Sequence, residues 1–161
     1  MQPEKDSPTL TIMTEKRDNA TPRDCILQLI RTRMASRQAM QRLLKNSNAE
    51  ITFEMLQIMS CLWNEQGISQ QVLAERTAKD KACLTSLMTN LERKGYVCRR
   101  EDPKDRRNKL VYLTDEGEAF HQWIAPTLTA YYERLEEILG TDKLKQTEEL
   151  LKELQHAIES Y

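Results

Sequence analysis

The sequence predicts a mainly α-helical protein that carries one small β-hairpin. Helix-forming residues such as Leu, Glu, Lys, Gln and Arg dominate from residue 23 onward. The 161 residues include only four glycines and two phenylalanines, which argues against a long barrel or a glycine-rich nucleotide loop. Apolar residues recur at helical spacing over most of the chain, whereas they alternate as in strands around residues 96–113. These observations together indicate a mainly α fold.

The first 50 residues predict an arm followed by one helix. Residues 1–20 are polar and aperiodic, so we expect a flexible N-terminal arm. Thr21-Pro22 is a typical helix start, with a capping hydroxyl and a proline at the first helical position. Because the pattern that follows is amphipathic, we predict a helix within residues 21–50. Pairing of its apolar face with the last helix of a second chain would make it a dimerisation helix.

The middle of the chain predicts a winged helix-turn-helix lobe over residues 51–114, in which three helices precede the hairpin. Short polar breaks separate the helices, and Ser69 and Asp80 stand where side chains cap helix starts. The predicted segments are 53–64 and 69–77 for the first two helices, 80–94 for a recognition helix and 96–113 for the wing.

Residues 115–161 predict two further helices that form the rest of a dimerisation domain. Thr114 caps the first, and leucines three, four and seven residues apart mark the second. A helix of about 18 residues at a chain end is marginally stable alone. Packing against the first helix of a second chain would stabilise it, and packing onto residues 114–139 of the same chain is the alternative.

The charge distribution predicts a site for a polyanion in the middle of the chain. Residues 79–109 contain ten Lys/Arg against five Asp/Glu, a net charge of +5. Residues 115–161 contain four bases against eleven acids, a net charge of −7. The asymmetry favours a DNA-binding lobe beside an acidic region that DNA would avoid.

The segment 80–94 has the composition of a helix that enters a DNA groove. Its apolar residues lie on one side, and small or hydroxyl-bearing residues lie on the other. An ordinary surface helix would carry Glu/Lys pairs, but positions 82–90 carry no charge. We predict that Thr85 and Ser86 contact bases or phosphates. The predicted DNA-binding residues of this helix are Lys81, Ala82, Thr85, Ser86, Thr89, Asn90 and Arg93.

The wing tip predicts a second DNA contact through Lys104, Asp105, Arg106 and Arg107. A minor groove concentrates negative potential and accepts a guanidinium group. We expect Arg107, or else Arg106, to enter the groove. Asp105 would hold the loop by bonding an arginine or backbone N–H groups.

The motif DPKDRRNKLVYLT, followed by DEG, resembles the wing of the MarR family of bacterial transcriptional regulators. The pattern Asp-x-Arg, five residues, Leu-Thr is matched by Asp105, Arg107, Leu113 and Thr114. The family's preceding helical motif is similar to this chain at Ser69, Leu73-Ala74-Glu75-Arg76, Asp80, Thr85, Leu91-Glu92, Gly95, Val97 and Arg99. The resemblance covers roughly residues 23–160.

This resemblance implies a cytoplasmic homodimer that binds double-stranded DNA at a pseudo-palindromic operator, most simply as a repressor. The chain departs from the family pattern at two places. It has Thr77-Ala78-Lys79 where many members carry glycine, and Ser86 and Asn90 where many carry arginine. The second departure implies fewer charged contacts from the recognition helix.

The resemblance also implies a small aromatic or lipophilic effector that releases the protein from DNA. The candidate lining residues are Met34, Met59, Trp63, Phe120 and Trp123. Apolar residues at helical spacing belong to a core more often than to a pocket, so a core role for these five residues is the alternative.

Two alternatives have a different functional basis. One is a thiol-based redox regulator of the same fold, with Cys25 or Cys83 as the sensor. The other is a winged helix that binds proteins. The four cysteines are widely spaced, which fits reduced thiols.

Other classes lack a sequence signal. No run of 18 apolar residues predicts a membrane span, and no secretory signal is expected at the N-terminus. His121 and His156 are the only histidines and lie in no zinc-binding pattern, so we expect no metal and no cofactor. No catalytic motif indicates an enzyme.

Overall fold

The computed structural model describes residues 21–105 and 108–161. The predicted arm, residues 1–20, and the two wing arginines, Arg106 and Arg107, lie outside the described residues. The helices and strands run in the order α1 (Pro22–Asn46), α2 (Phe53–Asn64), β1 (Ile68–Ser69), α3 (Gln70–Thr77), α4 (Lys81–Arg93), β2 (Val97–Glu101), β3 (Lys109–Leu113), α5 (Asp115–Leu139) and α6 (Thr141–Glu159). The predicted mainly α fold with a small β wing is confirmed.

The chain divides into two compact units at residues 38 and 39. The first unit contains the N-terminal part of α1, whose apolar side chains Leu27, Leu29, Ile30 and Met34 are exposed. The second unit contains the C-terminal end of α1 and all the later elements.

The hydrophobic core of the second unit lies among α2, α3, α4 and the sheet. Ile58, Met59 and Leu62 of α2 are fully buried, as are Met88 and Leu91 of α4. The other buried apolar residues are Met40, Leu44, Ile51, Met55, Leu56, Ile68, Leu73, Leu84, Val97, Val111, Leu113, Phe120 and Ile124. The apolar positions that predicted the helices of the lobe are therefore mostly buried, and Trp63, Val72 and Leu87 are partly buried against the same core.

Side-chain caps begin five of the helices, and in α1 the Thr21 hydroxyl accepts the Asp24 N–H at 3.2 Å. Thr52, Ser69, Asp80 and Thr114 each accept a hydrogen bond from the backbone N–H three residues later, at 3.2, 3.3, 2.7 and 3.1 Å. Each cap satisfies an N–H group that has no partner inside the helix. The positions of α2, α3, α4 and α5 are thus encoded locally.

The sheet has three antiparallel strands in the order β1-β3-β2. The hairpin pairs Val97 with Leu113 and Glu101 with Lys109, so the first strand starts one residue later than Tyr96, where the sequence predicted it. The sequence analysis did not predict β1, a two-residue strand that pairs Ile68 with Val111. A strand this short has no periodicity to detect.

A network of hydrogen bonds joins the base of the wing to the start of α5. Thr114 donates its backbone N–H to the Tyr96 carbonyl at 3.1 Å and its hydroxyl to the Gly95 carbonyl. A Cβ on Gly117 would lie 2.1 Å from the Tyr96 carbonyl oxygen, so only glycine allows this approach. The DEG motif is therefore explained by close packing between α5 and the chain that enters β2.

Gln66 adds a second connection at the same junction. Its Oε1 accepts the Leu113 N–H at 2.9 Å, and its Nε2 donates to Glu118 at 2.5 Å. One side chain in the loop before β1 therefore contacts both the last residue of β3 and the first turns of α5.

The two C-terminal helices leave large apolar side chains uncovered. No residue of α6 is buried, and Leu150 is 64% exposed. Further exposed apolar residues of this region are Tyr132, Ile138, Leu139, Leu151 and Ile158. Packing of α6 onto the same chain therefore leaves much of its leucine face in solvent.

Candidate nucleic-acid interface

Helix α4 separates an apolar face from a neutral polar face. Leu84, Met88 and Leu91 are buried and Leu87 is half-buried. The opposite side exposes Ala82, Thr85, Ser86 and Thr89, and Asn90 is half-buried beside them. The small side chains let the helix backbone approach another surface closely, as major-groove entry requires.

The threonine hydroxyls of this face already donate hydrogen bonds to their own helix. Thr85 Oγ1 donates to the Lys81 carbonyl at 2.7 Å, and Thr89 Oγ1 donates to the Thr85 carbonyl at 2.9 Å. Because each hydroxyl proton is used, the outward lone pairs act as acceptors. In a major groove they would match the exocyclic amino groups of adenine or cytosine.

Cationic side chains stand at both ends of the polar face. Lys81 lies exposed in the first turn, and Arg93 lies exposed in the last turn. The Arg93 guanidinium donates to Asn90 Oδ1 at 3.0 Å, which orients it along the helix without neutralising its charge. This arrangement suits phosphates on either side of a groove.

A groove of about 460 Å³ lies between α3, α4 and β2. Gln70 and Gln71 from the start of α3 line it together with Lys81 and Thr85. The two glutamines are not among the predicted DNA-binding residues, although polar amides beside the capping Ser69 are a signal that could have indicated them.

Arg99 is held inside the lobe and does not contribute a free positive charge. Its guanidinium forms a two-pronged salt bridge with Glu92, through Nε at 2.7 Å and through a short Nη2 contact. Gln70 Oε1 lies 3.5 Å from Nη1. This pair joins α4 to β2, so it positions the recognition helix against the wing.

The wing carries exposed positive charge outside such pairs. The Arg100 guanidinium lies 5.0 Å from the centre of the Tyr112 ring, a cation–π contact that holds it over β3. Lys104 and Lys109 are exposed and form no ion pair within residues 21–105 and 108–161. Arg100 is a further candidate contact that the sequence analysis missed, because only the strand register places it on Tyr112.

The tip of the wing is closed by backbone and amide hydrogen bonds. Asn108 donates its backbone N–H to the Asp105 carbonyl at 2.8 Å and its side-chain amide to the Asp105 carboxylate at 3.3 Å. The Asp102 carboxylate accepts the Lys104 N–H at 2.8 Å. The predicted loop-holding role of Asp105 stays a prediction with respect to Arg106 and Arg107, which lie outside the described residues.

The residues predicted to line an effector site have different surroundings in the structure. Met59 is fully buried in the core, and the Trp63 ring stacks on His121 at 4.2 Å. Phe120 and Trp123 line a separate groove beside α5. Met34 is exposed in the other unit. For Met59 the core interpretation therefore fits the structure.

The redox alternative depends on Cys25 and Cys83. Cys25 and Cys83 are exposed, the latter in the first turn of α4. Burial raises the pKa of the Cys61 thiol, and Arg76 acts weakly in the opposite direction. In the described part of the chain, no three His, Cys, Asp or Glu side chains converge as metal ligands, and no helix has the length and apolar character needed to cross a membrane.

Comparison with known proteins places this geometry in a family. The MarR family profile matches residues 51–109, which span α2 to the start of β3. The HTH-type transcriptional regulator FarR of Neisseria gonorrhoeae is 32% identical over 108 residues, which cover 67% of this chain and 74% of FarR. The chain belongs to the MarR family. Its predicted identification as a DNA-binding transcriptional regulator is thereby confirmed, and the redox alternative is not favoured.

Two further proteins are similar to this one along most of the chain. SarZ of Staphylococcus haemolyticus is 30% identical over 68% of this chain and 71% of SarZ. The crystal structure of NadR, determined with 4-hydroxyphenylacetate, is 29% identical. It superposes with a TM-score of 0.72 over 88% of this chain and 97% of that one.

Proposed function

We propose that this MarR-family regulator is a homodimeric repressor that inserts α4 into the major groove of a pseudo-palindromic operator. The observation that carries the proposal is the exposed face of α4, which is small, neutral and flanked by Lys81 and Arg93. The wing would contact the adjacent minor groove through Lys104, Arg106 and Arg107, with Asp105 holding the loop at the DNA. The proposal includes a cytoplasmic location and no enzymatic activity.

The exposed apolar side chains support the dimer. Leucines and isoleucines of α1 and α6 are exposed on helices that are marginally stable alone. We therefore assign residues 21–50 and 115–161 to dimerisation and residues 51–114 to DNA binding. A two-fold dimer would present two recognition helices to two half-sites, which explains a pseudo-palindrome.

The hydroxyl geometry gives the first test of the proposal. Thr85→Val keeps the shape of the side chain but removes the outward acceptor. At an operator selected with the purified wild-type dimer, the variant should lose about 1–3 kcal/mol of binding free energy. The base pair that Thr85 contacts should then tolerate more bases. A Thr85→Val dimer that selects the same consensus with unchanged affinity would contradict the assignment of this face.

The cations give the second test, measured by fluorescence anisotropy at several salt concentrations. Arg93→Ala should weaken binding to every DNA sequence alike. It should also reduce the slope of log affinity against log salt concentration by about 1 for each half-site. Lys152→Ala is the matched control, because Lys152 is 70% exposed and pairs with Glu148 at 2.6 Å on acidic α6. If both variants change the slope equally, non-specific charge explains the binding instead.

A small-molecule effector is a second part of the proposal. It is favoured by NadR, whose structure contains 4-hydroxyphenylacetate and which covers most of this chain. Addition of an effector should lower operator affinity of the purified dimer. A reporter placed behind the selected operator then distinguishes repression, in which deletion of the regulator raises expression, from activation, in which it lowers expression.

A further inference from the structure

We propose that a groove beside the start of α5 binds organic cations. The groove has a volume of about 430 Å³, which lies in the range of small-molecule sites. Tyr96, Phe120 and Trp123 form its aromatic wall, and the carboxylates of Glu50 and Glu116 stand at its edge. It contains no residue of α4 or of the wing tip, so it is distinct from the proposed DNA-binding surface. Because Phe120 and Trp123 are also predicted effector residues, the inference rests on the proposed effector function and specifies the chemical class of the ligand.

The aromatic wall is continuous. The ring centres of Tyr96 and Phe120 lie 5.0 Å apart, and those of Phe120 and Trp123 lie 5.5 Å apart. Phe120 is buried, whereas Trp123 is 51% exposed. Tilted rings present electron-rich faces as well as edges, and such faces attract ammonium groups with apolar substituents.

The charges at the groove select for a cation. Glu116 forms no hydrogen bond or ion pair within the described part of the chain. Glu50 reaches Lys94 only at 3.5 Å, and its side chain is 86% exposed, so this pair is weak. No Lys, Arg or His is among the described residues that line the groove. An aromatic carboxylate would therefore be repelled where an aromatic ammonium is attracted.

The experiment compares three probes of similar size with the purified dimer. They are benzyltrimethylammonium, its neutral carbon isostere neopentylbenzene, and 4-hydroxyphenylacetate as the anion. Titration is followed by fluorescence of Trp123 in a Trp63→Phe background, which removes the second tryptophan. We expect the cation to bind at least about tenfold more tightly than either of the other probes.

Two substitutions locate the site. Glu116→Gln keeps the shape of the side chain and should weaken cation binding about fivefold while leaving the neutral probe unchanged. Trp123→Leu, followed by calorimetry, should weaken cation binding about tenfold. Glu149→Gln, an exposed carboxylate on α6, is the matched control and should leave all three affinities unchanged.

Three outcomes would overturn the proposal. The first is tighter binding of the anion, and the second is cation binding that Glu116→Gln and Trp123→Leu leave unchanged. The third is protection of Trp123 from iodide quenching in the dimer, which would mean that a second copy of the chain covers the groove. Operator affinity is measured in parallel, so a protein that binds its operator but not the cation would refute the groove proposal and leave the proposed DNA-binding function unaffected.

Discussion

The bridge made by Gln66 allows a sharp test of how the wing is fixed to α5. Gln66 accepts the Leu113 N–H through Oε1 at 2.9 Å and donates to Glu118 through Nε2 at 2.5 Å. Gln66→Glu keeps the acceptor for Leu113 but removes the donor. It also places a second carboxylate against Glu118, so the change reverses one contact and leaves the other intact.

The expected cost follows from these two effects. A hydrogen bond to a charged group contributes about 1.5–3 kcal/mol, and an exposed side chain such as Gln66 falls at the lower end. Two carboxylates about 4 Å apart repel by about 1 kcal/mol in bulk water and by more where they are partly buried. Because the new glutamate can rotate into solvent, we expect a total loss of about 2 kcal/mol in the free energy of unfolding.

A second substitution should restore most of this loss. Glu118→Gln alone retains an oxygen acceptor for Gln66 and should cost less than about 1 kcal/mol. In the double variant, the glutamate at 66 accepts from both Leu113 and the amide at 118, so the polarity of the bridge is reversed. The double-mutant cycle should therefore give a coupling energy of about 1.5 kcal/mol.

The assay is urea denaturation of the wild type, both single variants and the double variant at one protein concentration, since dimer stability depends on concentration. Operator affinity of the same four proteins shows whether the bridge also positions the wing for DNA. Strictly additive effects of the two substitutions would refute the reasoning, because they would show that the two side chains do not interact in solution.

Three further predictions concern packing, backbone and thiols. Gly117→Ala should lower the free energy of unfolding by about 1–3 kcal/mol, because the new Cβ would lie 2.1 Å from the Tyr96 carbonyl oxygen. An unchanged urea midpoint would contradict the close contact between Gly117 and Tyr96. Ala78→Gly should raise stability by about 1 kcal/mol, because Ala78 has a φ of 49° where an alanine is strained; a lower melting temperature would argue against that conformation. In thiol labelling at pH 8, exposed Cys83 should react faster than Cys61, because burial raises the pKa of Cys61 and leaves less thiolate there. The variants Cys83→Ser and Cys61→Ser identify which thiol is labelled, and equal labelling rates for the two thiols would contradict the prediction.

The departure from the family pattern at the turn before α4 shows how sequence and structure complement each other. The chain has Thr77-Ala78-Lys79 where the family resemblance implies a glycine, and the structure shows that Ala78 has the backbone conformation that glycine suits. The cap of α3 has a left-handed backbone conformation, with φ 49° and ψ 48°. A sequence alone cannot tell whether a missing glycine marks a different turn or the same turn under strain.

The helical elements of this protein were predictable because their signals are local. Apolar spacing located the buried faces of α2 and α4, and Ser69, Asp80 and Thr114 marked three helix starts within one residue. Both the periodicity and the capping hydrogen bonds act over three or four positions. The resemblance carried by the wing motif supplied the family, which the comparisons confirmed.

The tertiary structure decided the contacts between side chains that are distant in sequence. It paired Ile68 with Val111 in a strand of two residues, and it directed Gln66 to both the wing and α5. It also joined Arg99 to Glu92, so that one of the ten basic residues within residues 79–109 holds the lobe together. Such contacts depend on where whole elements pack, and no local periodicity encodes that placement. The sequence by itself therefore determined the helices, their buried faces and the class of protein, whereas only the fold determined which charges remain available to a ligand.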